Sequence, residues 1–205
     1  MVRSKSPIGS LIRLKKEYTH QYIVLHKKTF PAVLDRIAKS NIANYSIFLS
    51  DGFLFGFYDY LGENYEKDMK AVGEDEATLQ WWKLTEPMQN PLRDRKKGAW
   101  WTDLEHLHSF SMDTETGKAV TRKAFRAPDL TIRVEEYKKL FDQKMIDPRI
   151  LRAETFRRGV EIYIYAEIKR DEAGHLHPLK IETEWPQSVY FKEMEEVFHT
   201  DGCLG

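Results

Sequence analysis

The sequence predicts an α+β fold whose first half follows the order β-α-β-β-α-β. Three observations carry that expectation. A helical stretch places Tyr18, Tyr22, His26 and Phe30 at steps of four residues, which puts them on one stripe. Asp51-Gly52, a pair that accepts positive φ, separates two runs of β-forming residues and reads as a hairpin turn. Further on, helical segments around Trp81-Trp82 lead to a closing strand with Leu104, His106, His108 and Phe110 on one face. This is the ferredoxin-like arrangement, an antiparallel sheet with helices on one face. The other face needs a cover, commonly a second sheet.

In chain order, Ile8–Leu14 reads as the first strand. Lys15 to Ser40 reads as a helix kinked at Pro31, because proline removes one backbone bond and crowds the carbonyl four residues back. Asn44–Leu49 and Phe53–Tyr60 form the hairpin, with Tyr45, Ile47 and Leu49 on one face and Ser46 and Phe48 on the other. Glu63–Val72 and Glu76–Met88 read as helices broken at Gly73. Arg93–Gly98 reads as a solvated loop, and Thr102–Met112 as the last strand of a domain covering residues 1–112.

Residues 113–205 open on a polar linker, Asp113–Lys118. A helix follows at Val134–Met145, then strands at Phe156–Ile168 and Leu179–Trp185, while Tyr190–His199 fits either helix or strand. The region is either a β-rich extension or a degenerate second ferredoxin-like half. The second alternative rests on Arg152–Ile168, which echoes the hairpin at Asn44–Tyr60.

Composition narrows the function. The chain has 205 residues, 41% of them hydrophobic and 13% aromatic, enough for a substantial core. Lysine plus arginine and aspartate plus glutamate both number 32, so no basic excess asks for a nucleic acid. The single cysteine, Cys203, builds neither a disulfide framework nor a zinc set. No apolar run approaches the ~18 residues of a membrane span. These features suggest a soluble, cytoplasmic protein of a reducing compartment.

At this point several ordered elements resemble a known family. Tyr22 and His26 are followed by Phe30-Pro31, then by Asn44-Tyr45-Ser46-Ile47-Phe48-Leu49. Next come Gln80-Trp81-Trp82, Met88-Gln89-Asn90-Pro91 and the strand Leu104-Glu105-His106. This set resembles the L-rhamnose mutarotase family over residues 1–112. The resemblance implies a dimeric α/β barrel and an isomerase of carbohydrate metabolism that interconverts the α and β anomers of a 6-deoxyhexose. It also implies that His26 is the acid/base, with Tyr22, Trp81 and Trp82 binding the monosaccharide. Three departures stand out. Leu92–Trp101 replaces the family's short Ser-Pro segment beside the expected site, the chain is about twice the family's length, and Asn44 and Tyr45 match without a clear contact.

Opening and reclosing a pyranose hemiacetal needs only proton transfers, so this chemistry calls for no cofactor and no metal. It favours a group that titrates near neutrality, and histidine is the side chain that starts there. Tyr22 suits a hydrogen bond to sugar, an orienting bond to the imidazole, or a place at the core edge. Trp81 and Trp82, adjacent on a helix, diverge, so one is expected on the sugar and one in the core. His106 and His108 share a strand face without an evident third metal ligand. His175 and His177 lie in a turn-like segment. The partner expected is a monosaccharide, with assembly as a homodimer or as an intrachain pseudo-dimer. The rival functions are a non-catalytic sugar-binding or interaction module on the same fold and, third, a different small-molecule reaction in this barrel, such as an oxygenase or isomerase, which would call for a metal, a cofactor or a non-sugar substrate.

Overall fold

The computed structural model describes residues 5–112, 120–127, 135, 149–169 and 191–202. The architecture is α+β, and the chain divides into two compact units, Met1–Leu104 with Glu196–Gly205, and Glu105–Glu195.

In the first unit, β1 (Ser6–Leu14) lies inside an antiparallel sheet. It pairs with β3 (Phe53–Tyr60) on one side and with the short β4 (Gln89–Asn90) and β5 (Thr102–Asp103) on the other. β2 (Ile42–Ser50) pairs with the far edge of β3. The last part of β10 (Lys192–Gly202) runs beside β2. The hairpin turns where the sequence placed it, with Asp51 at φ 51° and Gly52 at φ 73°. A bulge between Ala43 and Ser46 accompanies a positive φ at Asn44. Leu11, Ile12, Phe48, Leu54, Phe55 and Phe57 have essentially no exposed surface. Burial of each such side chain contributes about 1.5–3 kcal/mol.

The helices differ from expectation in an instructive way. One kinked helix was expected from Lys15 to Ser40. Instead α1 (Thr19–His26) ends at the imidazole and α2 (Pro31–Lys39) begins anew. Pro31 occupies the first position of α2, where its missing N–H costs nothing and its fixed φ suits a helix start. Likewise Gly73 does not break the later helix. It lies inside α3 (Tyr65–Glu74), and Asp75 starts α4 (Glu76–Thr85) by accepting from the Thr78 backbone N–H at 2.8 Å and its hydroxyl at 2.9 Å.

The expected strand Thr102–Met112 is split at Leu104. Thr102–Asp103 pairs with β1, whereas β6 (Glu105–Ser111) pairs with β8 (Ile150–Arg158) in the second unit. There β7 (Val120–Ala127) pairs with β9 (Glu161–Lys169) on one side and with the start of β10 on the other, and β8 pairs with β9. The single strand expected at Phe156–Ile168 is therefore a hairpin, turned at Gly159 with φ 60°. Tyr190–His199, open between helix and strand, is strand from Lys192. Ile162, Ile164, Ala166 and Ile168 form the core of this unit with Phe125, Ala153 and Phe191. Of the expected helix Val134–Met145 only Glu135 is described, and it is helical. Asp113–Lys118, His175, His177, Leu179–Trp185 and Cys203 lie outside the described residues.

Candidate functional site

The first unit holds a cavity of about 490 Å³ whose lining includes Tyr22, His26, Trp81 and Trp82 together. Tyr22 and His26 are the buried residues of α1, one turn apart, with ring centroids 4.0 Å apart and planes inclined by 32°. Trp81 of α4 meets the imidazole edge-on at 5.1 Å, and Phe198 of β10 does so at 5.9 Å. Trp81 is buried and also touches Phe30 at 5.2 Å, while Trp82 is half-buried. Adjacent helical residues diverge by about 100°, yet both border this cavity because it is broad.

The imidazole has a defined tautomer. His26 Nδ1 lies 2.9 Å from the backbone carbonyl of Tyr22, which can only accept, so Nδ1 carries the proton. Nε2 is then a lone-pair acceptor, and among the described residues no side chain or backbone group engages it. Burial among aromatic rings lowers the imidazole's pKa to about 4, opposed in part by the Tyr22 carbonyl. At neutral pH this is an uncharged base.

Tyr22 is 1% exposed, and its hydroxyl accepts from Gln89 Nε2 at 3.2 Å. Gln89 Oε1 in turn accepts from the Trp100 indole N–H at 2.7 Å. Burial raises the Tyr22 hydroxyl above its usual range and pushes Tyr45 up to about 12, so both phenols stay protonated. Tyr45 lines the cavity edge-on to Phe198 at 5.6 Å and to Tyr58 at 5.5 Å. Beyond it, the hydroxyls of Tyr58 and Tyr65 are 2.6 Å apart, and Lys96 pairs with Asp103 at 2.7 Å.

Sequence reasoning left Gln89, Trp100 and Phe198 without roles. Gln89 lay inside a motif and Trp100 inside the loop flagged as a departure. Phe198 gave no signal, since only the return of β10 to the first unit brings it here. Trp101, from the same loop, packs over β3 where Gly56 has no side chain; a Cβ there would meet the Trp101 ring at 3.3 Å.

His106 and His108 lie elsewhere, on β6. A register shift falls between them, and His106 Nε2 bonds Glu154 at 2.9 Å. Among the described residues no three His, Cys, Asp or Glu side chains converge as a metal site, and no helix is long and apolar enough to cross a membrane.

The family model for L-rhamnose mutarotase matches residues 8–110. The chain belongs to the L-rhamnose mutarotase family. The matched segment carries Tyr22, His26, Trp81, Trp82, Gln89 and Trp100 of the cavity, and Phe198 lies beyond it. No curated protein matches the sequence. Among solved structures, the chain is similar to a candidate monooxygenase from Lactobacillus acidophilus NCFM, with 11% identity, TM-score 0.57 and 97% of each chain covered. It is also similar to a candidate monooxygenase from Fusobacterium nucleatum subsp. nucleatum ATCC 25586, with 10% identity, TM-score 0.53, and 100% of this chain and 98% of that one covered. A third is an anthrone oxidase-like protein, with 11% identity, TM-score 0.50 and coverage of 97% and 93%. At these identities the likeness is one of fold. The family match is what supports a mutarotase-like, sugar-binding fold.

Proposed function

We propose that the chain is a cofactor-independent mutarotase acting on a 6-deoxyhexose such as L-rhamnose, with His26 as the acid/base. The observation that supports this most is an imidazole Nε2 that no described residue engages, beside a buried phenol in one aromatic cavity. His26 Nε2 takes the proton from the anomeric hydroxyl as the C1–O1 bond becomes a carbonyl. The ring C1–O5 bond breaks, and its electron pair goes to O5. The imidazolium then returns the proton to O5, so proton count and charge are restored. Both oxygens sit on C1, so one imidazole can reach each in turn. Rotation of the carbonyl and reversal of these steps closes the other anomer. A lowered pKa makes the imidazolium a strong donor, which speeds the return step. Trp81 and Trp82 offer apolar ring faces to the sugar's C–H surface and methyl group, and Tyr22 a hydrogen bond.

Burial of His26 also favours a second reading, a sugar-binding module without turnover, since charging an imidazole between three aromatic rings is costly. Saturation transfer between anomeric protons of rhamnose, fucose, glucose and galactose separates the two. Acceleration by the wild type, lost in His26→Ala, is expected, with a 6-deoxyhexose fastest. Binding without acceleration would replace the enzyme with the module.

We also infer that residues 105–195 are a degenerate second copy of the first unit. Supporting this, β7, β8 and β9 pair as β1, β2 and β3 do, a hairpin whose second strand lies against the first strand of its unit. A copy carried in the same chain makes a partner subunit unnecessary, so light scattering is expected to give a monomer. A stable dimer would contradict that.

A further inference from the structure

We infer that Gln89, with its amide fixed by Trp100, is a positioning residue that makes Tyr22 a hydrogen-bond donor into the cavity; its role in turnover rests on the mutarotase reading above. The inference follows from which atoms can donate. An indole N–H is a donor only, so the Gln89 atom 2.7 Å from Trp100 Nε1 is the carbonyl oxygen. The remaining amide atom, Nε2, is also a donor only, and it faces the Tyr22 hydroxyl at 3.2 Å. Tyr22 must therefore accept from Gln89, which leaves its own proton for another acceptor. Among the described residues that hydroxyl makes no other hydrogen bond, although Tyr22 is 99% removed from solvent and borders the cavity.

A buried O–H without a protein acceptor is costly, and facing a cavity it is free to donate to water or to the oxygen of a ligand that displaces it. The opposite amide orientation would turn Gln89 Oε1 toward the phenol, capture its proton, and present lone pairs to the cavity. Trp100, supplied by the loop that departs from the family pattern, thus sets the polarity of Tyr22. The cavity then offers a donor at Tyr22 and an acceptor at His26 Nε2. A cyclic hemiacetal is the complement, with an acceptor ring oxygen next to a donor hydroxyl. The ring oxygen gains negative charge as C1–O5 breaks, so this donor binds more tightly in the transition state than in the ground state. An ammonium group, which can only donate, is disfavoured at Tyr22.

The test compares anomer exchange of L-rhamnose by wild type, Tyr22→Phe, Gln89→Glu, Trp100→Phe and the double variant Tyr22→Phe/Gln89→Glu. In Gln89→Glu the carboxylate draws the phenol's proton away from the cavity. The expected result is a fall in kcat of about 10²-fold with KM changed much less, matching Tyr22→Phe. Trp100→Phe frees the amide to turn and is expected to lower kcat several-fold. The double variant is expected to be no slower than Tyr22→Phe alone. A merely structural role would make the two losses multiply, and that, or full activity in Gln89→Glu, overturns the inference. The amide orientation has a readout independent of turnover. A nuclear Overhauser contact from the Gln89 side-chain NH₂ to the Tyr22 ring is expected in the wild type. The same NH₂ facing the Trp100 indole instead overturns the inference even if the sugar reading holds. Absence of exchange in the wild type, with the Tyr22 contact present, refutes the mutarotase reading alone.

Discussion

The two units share a strand arrangement but treat their polar groups in opposite ways. In the first, the cavity is lined by polar atoms that no other described residue engages: the Nε2 lone pair of His26 and the hydroxyl proton of Tyr22. In the second, the polar side chains gathered around Glu154 and Glu161 are spent on one another. Glu154, almost fully buried, accepts from His106, from Ser109 at 2.6 Å and from Arg152 at 2.9 Å. Arg126 and Arg158 converge on Glu161, Lys123 reaches Glu193 and Tyr165 reaches Glu167. Ser109, His106 and Glu154 have the residue types of a nucleophilic triad without its wiring. The Nε2 that would receive the serine proton is the atom bound to the carboxylate, and the serine bonds that same oxygen. Residue type alone would have ranked this cluster with the first unit's site. Free hydrogen-bonding capacity beside a cavity is what separates them.

That contrast can be broken at its saturated end first. Burial opposes ionisation of Glu154, but the bonds from His106, Ser109 and Arg152 outweigh it and hold its carboxyl below the usual range. Glu154→Ala strands those donors in a part-buried site, and a loss of about 3 kcal/mol in urea unfolding is expected, with anomer exchange by the folded protein unchanged. A loss of exchange in proportion to the folded fraction only is consistent; a lower kcat in the fully folded variant would place catalysis in the second unit.

The first unit predicts a pH signature. His26 has a folded pKa near 4 against about 6.5 when unfolded, so between those values the unfolded chain binds the extra proton. Stability from this residue is complete above about pH 6.5 and is lost as pH falls toward 4, by about 3 kcal/mol in all. Urea midpoints of wild type and His26→Gln are expected to converge across that window. Parallel curves would show that the imidazole titrates normally.

The smallest expected effect concerns how α4 is held. Asp75→Ala removes the cap and should lower the thermal unfolding midpoint slightly. Because α4 carries Trp81 and Trp82, KM for the sugar is expected to rise more than kcat falls. No change in either would mean that packing alone aims the tryptophans.

How much of this could be read from the sequence depends on the range of the interaction. The Asp51-Gly52 hairpin and the shared face of Tyr22 and His26 follow from local geometry, and both are present. Pro31 was misjudged because a proline after a helical run is compatible with either a kink or a fresh start. The residues between, Lys27–Phe30, do not decide which. Gly73 drew attention as a helix breaker while Asp75, with Thr78 three residues on, held the actual boundary. The division at Leu104 depends on pairing with Gly9 on one side and with β8 on the other, neither visible in the strand's own alternation. The Trp100–Gln89–Tyr22 chain was beyond reach for the same reason: each residue was visible, but only the folded loop shows which atom of one meets which atom of the next.

The most direct test of the central claim is the pH dependence of kcat/KM for L-rhamnose anomer exchange, corrected for the spontaneous rate, in wild type and His26→Ala. A neutral, buried imidazole acting as base predicts a plateau through neutrality and an acid limb near pH 4, with the enzymatic rate reduced by about 10²-fold or more in the variant. A limb near the ordinary histidine value, or a rate that survives loss of His26, would contradict it.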